Sequence, residues 1–235
     1  MDSILSTAAD KPAPAIALDH LVVAARTLDE GEAWLRAKLG RALVAGGHHP
    51  GFGTHNRLLR LGDDCYLELI AADPAQAVSR LLFGLEQPPV AQALAASPLL
   101  LHTVFRVVAP QTLDDVLPQL AYDPGTPTAM SRGELRWRIT IPSDGRLAGD
   151  GLLPTIIDWG DASHPCTRLP DSGVALSGLR LEGPPAVLAA FPQPAAASRI
   201  RPALEAASCN KIYAEFLVNG AKIIIESRLP FRDLA

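Results

Sequence analysis

A histidine and a glutamate lie inside two apolar stretches of the N-terminal part of the chain. His20 lies within Leu18–Val23, and Glu68 lies within Cys65–Ile70. A buried carboxylate is unfavourable unless it is paired or bound to a metal, and imidazole with carboxylate suits Zn, Fe, Mn, Co or Ni. The pair therefore indicates a divalent metal site, or a metal-free site in which Glu68 is a catalytic general base. The alternatives are a core histidine bonded to backbone and a glutamate at a water-facing strand edge.

A glycine-rich run between these stretches, Gly46–Asn56, is the second candidate for chemistry. In a glycine and proline turn, His49 and the amides of Gly53 and Thr54 can face a substrate oxygen, which makes His49 a catalytic candidate. Thr54 and Asn56 alternate along the following strand and could orient a substrate. Alternatively, the glycines only make the turn, and the polar side chains close it by hydrogen bonds.

Four other polar or aromatic side chains have weaker claims. Trp159 is a candidate pocket wall, and His164 lies in the polar loop Gly160–Gly173, which could cover a pocket as a lid. Both are predicted to contact substrate, although ordinary core and surface positions are the alternatives. His48 and His55 are interpreted as surface residues.

These side chains need strands to hold them, and residues 17–73 predict a β-α-β-β-β unit. The predicted elements are a strand at Ile16–Ala24, a helix at Leu28–Leu39, a short strand at Ala42–Ala45, and a hairpin of Asn56–Leu61 with Cys65–Ile70. Strand alternation puts Glu68 on one face with Tyr66 and Ile70. This face is the predicted inner face of a curved sheet.

The same order of elements returns at the C-terminal end, in residues 172–230. A hairpin across Asn219 and Gly220 follows a strand and a helix, and aligning the two hairpins places Glu226 on Glu68. The same offset places Gly178 where the first unit has His20. The glutamate is therefore repeated, whereas the histidine is not.

The predicted fold class is α+β, with repeated β-α-β-β-β modules in a cupped, barrel-like mixed sheet. The predicted organisation is one compact domain. It comprises a flexible tail at 1–16, a first module at 17–73, a degenerate middle module with a helical linker and a long loop at 74–171, and a last module at 172–230. Which modules pair with each other is left open by the sequence.

Composition excludes several classes of function. The net charge is −4 and aromatic residues are 5%, so a nucleic-acid surface is not expected. No apolar run approaches the roughly 18–20 residues of a membrane span, and the first residues lack the apolar core of a signal peptide. Three widely separated cysteines, Cys65, Cys166 and Cys209, are typical of free thiols in a reducing compartment. A cytoplasmic protein with a small-molecule substrate is predicted.

Four stretches together resemble a known family. They are Leu18–Val23, the run Gly46-Gly47-x-His49-x-x-x-Gly53-Thr54-x-Asn56, Tyr66–Leu69, and Ile156–Trp159 followed by His164-Pro165. The chain is similar here to the vicinal oxygen chelate superfamily of glyoxalases, bleomycin-resistance proteins and dioxygenases, and within it to the glyoxalase-like domain branch. The resemblance implies a cup around a small-molecule site.

The resemblance also implies a lyase, isomerase or dioxygenase with one divalent metal. Carried over by position, the metal ligands would be His20, Glu68 and Glu226. Gly178 stands where a second histidine is expected, so His102, His49 or His164 would have to substitute. The alternatives are a metal-free protein that binds or sequesters a small molecule, and a structural role. An odd number of modules makes a homodimer plausible.

Overall fold

The computed structural model describes residues 13–76 and 81–230, and two β-sheets dominate its regular structure. The strands of the larger sheet are β1 (Ile16–Ala24), β2 (Val44–His49), β3 (Thr54–Arg60), β4 (Tyr66–Ala72), β5 (Leu99–Val107), β6 (Thr126–Arg132), β7 (Leu135–Ile141) and β8 (Thr155–Asp158). The strands of the smaller sheet are β9 (Val174–Gly183), β10 (Ala203–Ala206), β11 (Lys211–Val218) and β12 (Ala221–Arg228). Residues 1–12 of the predicted tail lie outside the described residues.

The helices are short and lie between the strands. They are α1 (Leu28–Leu39), α2 (Pro88–Ala96), α3 (Leu113–Val116) and α4 (Pro185–Ala189). The helix α1 begins as the sequence predicts, because the Thr27 hydroxyl accepts a hydrogen bond of 3.1 Å from the amide of Glu30. It ends at Gly40, whose φ of 65° is left-handed. None of the described helices has the length and apolar character needed to span a membrane.

The large sheet is an open, curled half-barrel in the order β2-β3-β4-β1-β5-β8-β7-β6. In its first half β1 is parallel to β4, and in its second half β5 is parallel to β8, so both halves have the same strand order. The two halves join through the antiparallel pair β1 and β5. The α+β fold with a cupped mixed sheet is confirmed, and the middle module is the partner of the first.

Strand register shows which residues of the two halves correspond. Glu68 on β4 lies opposite Val22, two residues after His20. In the second half, Thr155 on β8 lies opposite Val104, two residues after His102. His102 therefore occupies the position of His20, and Thr155 occupies the position of Glu68.

The last module repeats the order of elements but not their pairing. In the first module the first strand lies beside the last, whereas β9 lies between β10 and β11, and β12 contacts only β11 within its sheet. Gly178 therefore lies opposite Glu215, and Glu226 lies opposite Tyr213. The predicted equivalence of Glu226 with Glu68, and of Gly178 with His20, is wrong because an equal sequence offset does not ensure an equal strand order.

The two faces of the large sheet bury different sets of residues. One face, which includes Leu21 and Leu67, packs against α1 and the small sheet in a single apolar core. Ser227 of β12 joins the sheets by accepting a hydrogen bond of 2.8 Å from the Leu100 amide. The other face carries His20 and Glu68. The last module thus closes the back of the half-barrel and leaves the inner face open for a ligand.

Candidate functional site

A pocket opens on the inner face of the half-barrel. Its polar floor comes from β1 to β4 and consists of His20, His49, Asn56, Tyr66 and Glu68. Arg132 of β6 adds a positive charge. The remaining lining is apolar and consists of Leu58, Leu82, Phe83, Met130, Trp137, Ile139, Ile157, Trp159 and Pro165. Four of the predicted site residues on strands are thus brought together: His20, His49, Asn56 and Glu68.

A chain of three ionisable groups, Asp19, His20 and Glu68, begins behind the floor of the pocket and ends in it. Nδ1 of His20 lies 2.6 Å from Oδ1 of Asp19, and Nε2 of His20 lies 3.4 Å from Oε2 of Glu68. Adjacent residues of a strand normally face opposite sides, but the register of β1 against β5 shifts between Leu18 and His20. This irregularity lets Asp19 reach the ring of its own neighbour. Asp19 was missed by sequence reasoning, although an acid inside a buried strand is an unusual position.

Asp19 also connects the pocket to the loop after β8. Nε1 of Trp159 donates a hydrogen bond of 2.8 Å to Oδ2 of Asp19, and Nε2 of His164 lies 3.1 Å from the same oxygen. Nδ1 of His164 accepts the Cys166 amide at 3.3 Å, so Nε2 carries the proton and donates to Asp19. The structure therefore places Trp159 and His164 at the site. Trp159 lines the pocket, whereas His164 holds Asp19.

The charges on these groups follow from their contacts. Burial would raise the pKa of Asp19, but hydrogen bonds from His164 and His20 hold it below its usual range. Burial would lower the pKa of His20, but the contacts with Asp19 and Glu68 outweigh it and raise this pKa to about 9. Burial opposes ionisation of Glu68, but His20, His49 and Asn56 together lower its pKa to about 2. At neutral pH His20 is an imidazolium between two carboxylates.

The second histidine of the pocket is in the opposite state of protonation. Nδ1 of His49 lies 2.8 Å from the Thr54 hydroxyl, and Nε2 lies 3.8 Å from Oε1 of Glu68. Burial is the largest influence and lowers the pKa of His49, so its ring is neutral at pH 7. Asn56 lies between the two groups, donating from Nδ2 to Oε1 of Glu68 at 2.5 Å and lying 3.3 Å from Nε2 of His49.

The glycine-rich run positions Asn56 rather than presenting amides to a ligand. The strand β2 extends to His49, four residues beyond its predicted end, and the amide of Gly47 donates to Oδ1 of Asn56 at 2.8 Å. A side chain at Gly46 would collide with the same oxygen. Gly53 and Thr54 are buried and are not among the lining residues, so the structure does not place their amides in the pocket.

At the positions that correspond to His20 and Glu68, the second half of the barrel has a histidine but no glutamate. Nδ1 of His102 donates to the Gly151 carbonyl at 2.9 Å, and its Nε2 accepts the Thr155 amide at 3.1 Å. Burial is the main influence that lowers the pKa of His102 to about 4. The lone pair of Nε2 already accepts the Thr155 amide, so His102 has none left for a metal. Thr155 itself offers no carboxylate. Glu226, the third predicted ligand, lies on the other sheet with an exposed side chain, which corrects that part of the prediction.

The donors in the pocket do not fit the divalent metal that the resemblance implies. Over residues 13–76 and 81–230, one group of three His, Cys, Asp or Glu residues has ligand atoms, one from each residue, that all lie within 4.8 Å of one another, and it is formed by His48, His55 and Asp73. That group lies outside the pocket lining. In the pocket, the amide of Asn56 occupies the space between Glu68 and His49 that a shared ion would need.

The sequence matches a family model described as "Glyoxalase-like domain" over residues 18–193. No curated protein matches the sequence at a significant level.

One solved structure shows the same fold at low sequence identity, and two others are less similar. A hypothetical protein from Staphylococcus aureus is 13% identical with a TM-score of 0.56, covering 89% of this chain and 98% of its own. Methylmalonyl-CoA epimerase from Mycobacterium tuberculosis is 22% identical with a TM-score of 0.41, covering 61% of this chain and 88% of its own. A methylmalonyl-CoA epimerase in complex with methylmalonyl-CoA and NH4+ is 18% identical with a TM-score of 0.41, covering 64% and 99%.

Proposed function

The chain belongs to the glyoxalase-like domain family of the vicinal oxygen chelate superfamily, and we propose that it is a small-molecule enzyme that transfers a proton on a carbonyl-bearing substrate. The supporting observation is the pair of buried histidines, His20 and His49, on either side of Glu68. Two titratable groups whose surroundings favour opposite states supply an acid and a base in one site.

Each group has one role in this proposal. In this proposal Nε2 of neutral His49 exchanges its 3.3 Å contact with Asn56 for the substrate and takes a proton from a carbon next to the carbonyl, and the C–H electron pair moves to the carbonyl oxygen. The charge of His20 stabilises the enolate oxygen that forms. Glu68 orients both rings, and return of the proton from His49 to a carbon or oxygen completes the reaction. His49 is thus the catalytic residue, and Glu68 and Asp19 are positioning residues.

Among the reaction types that the resemblance implies, lyase or isomerase chemistry fits these groups best. A dioxygenase needs a redox metal, and the donor arrangement in the pocket does not provide its ligands. A metal-free binding protein uses the same pocket without proton transfer and is the alternative that an experiment must separate.

Hydrogen exchange tests the proposal directly. A panel of small 2-oxo and 2-hydroxy carbonyl compounds is incubated in D2O, and loss of the C–H signal is followed by NMR. The protein should exchange at least one compound, and His49→Gln should slow this exchange by about a hundredfold or more. The matched control is His55→Gln, because His55 is outside the pocket lining. Binding without exchange would favour the binding protein, and exchange that survives in His49→Gln would refute the role of His49.

Two other predictions remain open. The homodimer was inferred from an unpaired module, but the last module packs on the back of the large sheet, so that reason no longer applies. Light scattering during size-exclusion chromatography would establish the oligomeric state. All three cysteines are free, which is consistent with the reducing compartment on which the cytoplasmic location rests.

A further inference from the structure

Arg132 is the one basic side chain in the pocket lining other than the histidines. It is the last residue of β6 and is half-buried. Within the described residues its guanidinium makes no hydrogen bond or ion pair with the protein. Arg138 of the neighbouring strand differs, because Asp114 accepts two hydrogen bonds from it, each of 2.9 Å. A guanidinium in a pocket with unused donors is suited to a ligand anion.

The strand order explains how Arg132 reaches the site. The strands β2 and β6 are the two edges of the half-barrel, and they approach each other across its open side. Gly47 of β2 makes this approach possible, because a side chain there would collide with the methylene groups of Arg132. The guanidinium is close enough to His49 and Tyr66 for its charge to act on both.

We infer that the substrate carries a carboxylate, which Arg132 binds at the open side of the pocket while the apolar part of the substrate lies against Trp137 and Trp159. This inference rests on the proposed function and names its substrate class. A carboxylate is the anion favoured here, because its planar pair of oxygens matches the guanidinium and the rest of the wall is apolar and aromatic. The reacting carbon would then face His49.

The test compares an aromatic carboxylate with its neutral isostere. Binding of phenylacetate and of phenylacetamide is measured by calorimetry on the full chain, with no need for turnover. The protein should prefer phenylacetate, and Arg132→Gln should weaken phenylacetate binding about tenfold or more while leaving phenylacetamide unchanged. Gly47→Ala should act in the same direction, because it displaces Arg132.

Arg136→Gln is the matched control. Arg136 lies in the same hairpin, is exposed, and bonds to backbone carbonyls outside the pocket, so its loss removes an equal charge without touching the site. Thermal unfolding checks that each variant is folded. Equal binding of the two probes, failure of the protein to bind either, or a preference that survives in Arg132→Gln would overturn the inference.

The outcome is separable from that of the proposed function. Preference for the carboxylate through Arg132 without hydrogen exchange in the panel would support the anion site and remove the proton-transfer proposal. Exchange that depends on His49 but not on Arg132 would support the proton-transfer proposal and remove the anion site.

Discussion

Asp19→Asn should destabilise the protein in a pH-dependent way, because Asp19 is fully buried and holds the charge of His20. The difference between a pKa of about 9 in the folded protein and 6.5 corresponds to about 3 kcal/mol, at about 1.4 kcal/mol for each tenfold change in proton affinity. Asp19 makes the shorter of the two contacts of His20, 2.6 Å against 3.4 Å, so most of this free energy is assigned to it.

The sign of the pH dependence follows from linkage. Because the folded-state pKa of His20 lies above the unfolded value, protonation stabilises the folded protein. This contribution is complete below pH 6.5 and is lost as the pH rises through about 9. Asp19→Asn should therefore lower the free energy of unfolding by about 3 kcal/mol at pH 6 and by clearly less at pH 9.5.

Urea denaturation at these two pH values is the assay. Asp63→Asn is the control, because Asp63 forms an ion pair with Arg60 but its side chain is 92% exposed, and little change is expected at either pH. A loss in Asp19→Asn that is equal at pH 6 and pH 9.5, or that is no larger than that of the control, would refute the charge assignment.

The other predictions concern metal binding and the loop contact. Added Zn²⁺ should bind to the group formed by His48, His55 and Asp73. In equilibrium dialysis, His48→Ala should abolish stoichiometric Zn²⁺ binding, whereas His20→Ala should leave it intact. The reverse result would place the metal in the pocket. Trp159→Phe removes the hydrogen-bond donor to the buried Asp19 and should lower the free energy of unfolding by about 1–3 kcal/mol in urea denaturation. An unchanged denaturation midpoint would contradict this prediction.

The first module was predictable because its signals are local. The helix cap at Thr27, the glycine that ends α1, and the alternation around Glu68 each depend on a few neighbouring residues, and they fix which side chains face inwards. His49 also followed from its turn, although β2 extends further into the glycine-rich run than predicted.

The pairing of modules was not predictable from the same signals. The strand β6 was not recognised because Pro127 interrupts its pattern, and proline is tolerated there only because β6 is an edge strand. Without β6 the sequence predicts an incomplete middle module. The role of Asp19 depends on a strand irregularity, which has no signature in one sequence. The equal offset that suggested Glu226 carried no information about strand order.

The most direct test of the proton-transfer site is the protonation state of its two histidines. Histidine ring nitrogens are followed by ¹⁵N NMR from pH 5 to pH 10, with His20→Asn and His49→Gln for assignment. We expect His20 to stay protonated through neutral pH and to titrate near 9, whereas His49 is already neutral at pH 7 with a pKa below the ordinary value of 6.5. Titration of both rings together near 6.5 would contradict the account.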